Sequence, residues 1–145
     1  MLSLNEHVAF SINGKTVSGT IVGIDQYSLE SFDGKSRTWT SYTLTSKTKG
    51  IFSRFWITDW KSDGWILWTT AKKKNKLNLQ MVPNRSGLSK IEFTGDQGIS
   101  TPFSAVAVFL SPKDTYYALE RFADSSVLYL CGQKISKPRK SLTSS

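Results

Sequence analysis

Apolar and polar residues alternate along most of this chain with the period of strands. From Glu6 to Asn13, the residues Val8, Phe10 and Ile12 fall on one face, as in a half-buried strand. Asn13-Gly14 follows, a pair that tolerates positive φ at both positions and closes tight hairpins. Lys15 to Ile24 predicts a second strand with Val17, Gly19, Ile21 and Gly23 on one side. Glycines inside a strand mark a bend, a bulge or a close backbone approach. Asp25 to Ser36 reads as a mixed segment closed by the turn pair Asp33-Gly34. Arg37 to Thr45, which carries Trp39 and Tyr42, predicts another strand, and Thr45 to Gly50 a polar loop.

Four of the five tryptophans lie between Trp56 and Trp68, on either side of Ser62-Asp63-Gly64. This predicts a hairpin with Gly64 as a left-handed bulge residue. Trp56, Trp60, Ile66 and Trp68 then share a face. A four-residue loop would instead set Trp65 opposite Trp60, and a slip of one residue exchanges the two faces. Large aromatics in a small domain mostly pack inside, so Trp39, Trp56 and Phe103 are expected to be mostly buried.

Further along, Leu77, Leu79 and Met81 alternate as a short strand, and Pro83 to Gly87 is a loop where two halves of similar length could meet. Ile91 and Phe93 mark a strand before Gly95-Asp96-Gln97-Gly98. Phe103 to Leu110 suits a buried strand or a short helix, and Tyr116 to Phe122 a strand or a helical turn. Val127 to Cys131 predicts a last strand ended by Gly132. About ten short strands with closely spaced turns indicate a mostly β fold, with curved antiparallel sheets forming a sandwich or an open, barrel-like domain and little helix. One domain over residues 1–135 and a basic, disordered tail over 136–145 is the expected division.

The chain has 145 residues, 39% of them hydrophobic and 12% aromatic. That is enough to bury a core without disulfide or metal. No apolar run approaches the ~18 residues of a membrane-spanning helix, and the first residues lack the pattern of a signal peptide. With the single cysteine Cys131, this favours a cytoplasmic protein. The net charge is +8, of which Lys134, Lys137, Arg139 and Lys140 supply half. A basic tail of this kind serves as a solvated terminus or meets an anionic membrane surface.

Conventional catalytic patterns are absent from the sequence. His7 and Cys131 do not make an ordinary zinc site, and no calcium-loop spacing occurs. No metal or other cofactor is expected. No nucleophile elbow or phosphate loop is present. Cys131, in Val127-Leu128-Tyr129-Leu130-Cys131, reads as a buried inert thiol, and His7 as an edge or surface residue. Glu120 and Asp124 would share a face only on a helix, and Glu120 reads as the partner of an arginine. Acidic groups brought together in a cleft by the fold would be invisible at this level. The combination that does point to a ligand is basic residues beside aromatics: Arg37 and Arg54, with Lys72, Lys73, Lys74 and Lys76 after the tryptophan hairpin. Single-stranded nucleic-acid binders pair such charges with exposed rings. The bland alternative is a solvated loop around a packed core.

An ordered set of landmarks runs through the chain: Asn13-Gly14-Lys15, Val22-Gly23-Ile24, Tyr27, Trp39-Thr40-Ser41-Tyr42-Thr43-Leu44 and Phe55-Trp56-Ile57, then Leu119-Glu120 and Leu128-Tyr129-Leu130-Cys131-Gly132-Gln133-Lys134-Ile135. This order resembles the bacterial family called domain of unknown function 4178. In that family a glycine turn precedes a Trp-x-x-Tyr-x-Leu strand, a tryptophan strand, and a late Glu and Tyr-x-x-Gly. An acidic residue often precedes the family's tyrosine, where this chain has Ser41. The resemblance spans residues 6 to 135 and implies a mostly β domain. It brings no established activity and no catalytic residue. The resulting expectation is a non-enzymatic binding or accessory module whose partner is another protein, met through sheet edges or loops. A single-stranded nucleic-acid-binding protein is the alternative, and an enzyme with an unrecognised site the third.

Overall fold

The computed structural model describes residues 2–48, 51–72, 78–95 and 103–141. Its eleven strands are β1 (His7–Ile12), β2 (Lys15–Ser31), β3 (Ser36–Thr48), β4 (Ile51–Asp59), β5 (Trp65–Thr70), β6 (Gln80–Met81), β7 (Gly87–Gly95), β8 (Phe103–Leu110), β9 (Tyr116–Phe122), β10 (Val127–Ile135) and β11 (Arg139–Lys140). Two single 3-10 turns, Lys61–Asp63 and Pro83–Arg85, are the helical elements among the described residues. None is long and apolar enough to cross a membrane.

Eight strands close into an antiparallel barrel in the order β2-β3-β4-β5-β10-β9-β8-β7 and back to β2. The fold is mostly β, as the alternation predicts. The expected sandwich or open barrel is corrected by the seam between β2 and β7, which pairs every residue from Gly23↔Gly95 to Ser31↔Gly87. Closure of this kind removes the exposed edges that an open sheet must protect. The chain builds the barrel from two four-stranded meanders, β2–β5 and β7–β10. Their first strands pair with each other, and so do their last strands.

The second strand explains how the barrel closes. Its 17 residues pair with β1 up to Thr20 and with β7 from Gly23 onward. The register with β3 shifts between Ile21 and Gly23, where the strand changes neighbours, as bulges allow. Asp25 to Ser31 is therefore strand, not the expected mixed segment. Likewise β3 and β4 extend through Thr48 and from Ile51, where a polar loop was expected. Asn13 and Gly14 both have positive φ in the first hairpin, as the Asn-Gly pair requires.

Because side chains alternate, strands such as β2, β3 and β5 feed two cores. Inside the barrel are Leu29, Trp39, Trp60, Ile66, Trp68, Val106, Val108, Tyr116 and Ala118. Outside it, Val8 and Phe10 of β1 cover Ile21, Tyr42, Leu44, Phe55 and Ile57. The tryptophan hairpin sets Trp56 opposite Trp68, Thr58 opposite Ile66 and Asp59 opposite Trp65. It turns through Lys61–Asp63, one residue earlier than the expected Ser62-Asp63-Gly64 loop, a shift that keeps the expected shared face. Gly64 has φ of 89°, and Trp60 N–H donates to the Gly64 carbonyl. Trp56, Trp60, Ile66 and Trp68 accordingly face inward together, while Trp65 stacks on Tyr42 outside.

Three further expectations are revised. Phe103 is 53% exposed, because β8 places it on the outer side of the barrel, away from Ser104 and Val106. Cys131 is half-buried on the outer face of β10. That strand does not end at Gly132 but runs to Ile135. A Cβ on Gly132 would lie 2.6 Å from the Trp68 ring, so the glycine is a close-approach position that admits the indole. Within the expected tail, Arg139 and Lys140 pair with β1, and the Lys140 ammonium lies 3.3 Å from the Glu6 carboxylate.

Candidate functional site

The interior of the barrel is not filled. A cavity of about 70 Å³ lies among the inward residues of both meanders, room for roughly two waters at liquid density. One side is aromatic, with Trp39, Trp56, Trp60 and Trp68. The polar lining is Asp25, Ser41, Thr58 and Glu120, and the half-buried Trp56, Leu128 and Leu130 form the rim.

The aromatic side is rigid because its rings hold one another. Trp60 meets Trp39, Trp68 and Tyr116 edge to face, with centroids 6.5, 5.7 and 5.2 Å apart, the arrangement ring quadrupoles favour. Arg85 completes this end. Its guanidinium carbon sits 5.3 Å from the centre of Trp39 and 5.0 Å from that of Trp60. It donates to the Trp60 carbonyl at 2.8 Å and to Asp63 at 2.7 Å. The 3-10 turn Pro83–Arg85 thus plugs the barrel with a cation whose charge is answered by Asp63.

The polar side has no such answer. Glu120, on β9, accepts from Tyr27 O–H at 3.1 Å and from Ser104 O–H at 2.8 Å. Ser89 stands behind, its Oγ 2.6 Å from that of Ser104. No arginine takes part in these bonds, so the expected arginine partner of Glu120 is corrected. Arg121, its neighbour in sequence, points to solvent. Asp25, on β2, is only 4% exposed, and its Oδ1 has no hydrogen-bond partner among the described residues. Thr43 Oγ1, one inward position beyond Ser41 on β3, is likewise buried without a partner.

Burial and the neighbouring Glu120 push the Asp25 carboxyl up to about 7. Burial also raises Glu120, against the lowering effect of the Ser104 and Tyr27 hydrogen bonds. The Tyr27 hydroxyl is raised well above its usual range by burial and by both carboxyls. Two acidic groups in one dry space do not ionise together readily. Asp25 has the weaker hydrogen-bond support and is the natural holder of a proton.

The basic residues singled out in the sequence are elsewhere. Arg37, at the start of β3, pairs with Asp33. Arg54 lies on β4 opposite Thr45, roughly 26 Å from Arg37 along the strand. Arg54 and Lys72 are both exposed and lie beyond the Trp56↔Trp68 pair, at the same end of the hairpin. Lys73, Lys74 and Lys76 fall outside the described residues. The fold therefore separates the arginines, and the buried Trp60 and Trp68 rings are not available as a surface for bases. The residues that do converge are Asp25, Tyr27 and Glu120. His7 lies in β1 with Nδ1 2.8 Å from Thr20 Oγ1. Among the described residues, no group of three or more His, Cys, Asp or Glu could hold a metal ion.

Comparison with known proteins returns no match: no family model fits the chain, and no curated protein or solved structure is significantly similar to it.

Proposed function

We propose that this protein is a non-enzymatic binding module that takes a small ligand inside its barrel. The observation that carries this reading is the cavity itself, with a deeply buried Asp25 whose Oδ1 lacks a hydrogen bond. Leaving such an atom unpaired costs free energy, and interior polar atoms of this kind mark a site for a partner. Apolar walls with a few convergent polar groups are the usual composition of small-molecule sites. Placement in the domain of unknown function 4178 family and in the cytoplasm belongs to the same proposal, resting on the landmarks and composition given above.

The reading is tested by following the indole N–H signals of isotopically labelled protein during titration with small organic fragments. Binding inside should shift Trp56, Trp60 and Trp68 and spare Trp65. Ala118 lines the cavity, and Ala118→Met should abolish those shifts by filling it. Shifts confined to Trp65, or shifts that persist in the filled variant, would refute an interior site.

A further inference from the structure

Building on the interior site, we infer that its ligand is a protonated amine with a short apolar body, the ammonium held between Asp25 and Glu120 and the body lying against the tryptophans.

The polar side of the cavity offers acceptors in excess. Glu120 takes two hydrogen bonds from Tyr27 and Ser104, while Asp25 Oδ1 takes none among the described residues. Thr58 already donates to Ser41. What this group of atoms lacks is a donor carrying positive charge. An ammonium supplies three donors and no acceptor, and its bonds to carboxylates are of the strong, charge-assisted kind. Each alternative leaves something unmatched. A carboxylate or phosphate would meet two acidic groups with no Lys or Arg among the described lining residues; Arg85 lies against Trp39 and Trp60 and is held by Asp63. A bare divalent ion needs six or more oxygens around it, whereas the lining sets four tryptophans and several aliphatic side chains beside the few oxygens of Asp25, Tyr27, Ser41, Thr58 and Glu120. Aromatic faces instead attract organic cations and cover apolar carbon. The volume sets the size: at about half of the ~150 Å³ that holds benzene, the cavity takes the ammonium and its first carbons, and a longer body reaches out past Trp56, Leu128 and Leu130.

The inference also fixes a pH dependence. The titratable groups acting on Asp25 are Glu120 from β9 and Tyr27 on its own strand. The residues of the two strands paired with β2 on the same face at this level, Ser41 and Thr43 on β3 and Phe93 and Ile91 on β7, do not titrate. With its carboxyl near 7, Asp25 must lose a proton to pair with the amine when the solution is more acidic than that. Affinity should therefore fall about tenfold from pH ~8 to pH ~6.

Three probes of similar shape decide the matter: isopentylamine, isopentyl alcohol and isovalerate. They are titrated into the wild-type protein, Asp25→Asn and Glu120→Gln, with the interior indole signals as readout. The amine should bind at least tenfold more tightly than the alcohol, and isovalerate least. Asp25→Asn should remove most of the amine's advantage and its pH dependence while leaving the alcohol's affinity within a few-fold. Should a variant fail to fold, the wild-type order of the probes and the pH dependence of the amine still decide. Equal binding of amine and alcohol inside the barrel overturns the charge assignment and leaves the interior site standing. Preference for isovalerate overturns it as well. Absence of interior shifts with all three probes refutes the inference, and the interior site too if no other fragment shifts those signals.

Discussion

At the scale of single residues, Asp25 sets how stability depends on pH. Its carboxyl moves from 3.8 to about 7 on folding. Between those values the folded chain keeps a proton that the unfolded chain releases, so stability falls as pH rises through the window and levels off above it. The upper bound is on the order of 4 kcal/mol. Asp33 acts in the opposite sense: hydrogen bonds from Ser31 and Arg37 hold it at about 2, so its contribution is lost only as pH falls toward that value. Urea denaturation at several pH values should show wild-type stability dropping between about pH 4 and 7. Asp25→Asn should flatten that slope and be the more stable protein at pH ~8. A steeper slope in the variant would contradict the assignment. Little of this was legible in the sequence. Asp25 follows a bulge at Ile21/Gly23, and inward position can be counted along a strand only when the bulge is known. Glu120 stood in a segment readable as a strand or a helical turn, and its partners Tyr27 and Ser104 come from strands remote in sequence.

At the scale of elements, the β4–β5 hairpin was the most legible part of the chain. Asp63-Gly64 chemistry and the tryptophan spacing gave the shared face, and the choice of register came from the barrel, which buries Trp60 and Trp68 and sends Trp65 to the outer core. The two ends of the hairpin differ in consequence. Trp60 is 3% exposed and touches three other rings, while Trp56 is half-buried at the cavity rim. Trp60→Ala should cost about 3–5 kcal/mol, as for large core truncations. Trp56→Ala should cost clearly less and instead weaken interior binding. Thermal melts and fragment titrations of both variants check this, and equal destabilisation would mean that Trp56 belongs to the packed core. Phe103 shows the limit of reading from the apolar run: β8 is apolar on both faces, so composition alone does not say which side meets the barrel interior.

At the scale of the molecule, the closed barrel holds Trp60 and Trp68 inside, where large aromatics of a small domain are expected, and leaves Arg54 and Lys72 exposed. Oligonucleotide binding should therefore be weak, lost near ~150 mM salt as counterion release predicts, and unchanged by Trp65→Ala. Micromolar affinity at that salt, reduced by a folded tryptophan variant, would instead reveal stacking. The pairing of first strand with first and last with last has a consequence for how the barrel assembles. Every hairpin inside a meander is local, but the two seams join residues such as Tyr27 with Ile91 and Trp68 with Gly132, separated by roughly 60 residues of chain, and such non-local contacts slow folding. Each meander alone carries two raw edges. A chain cut between Lys72 and Asn78 should thus yield two pieces that are unstable apart and combine into one cooperative unit when mixed, zipping both seams at once. Their recovery of native tryptophan emission should speed up with concentration, whereas refolding of the uncut chain should not.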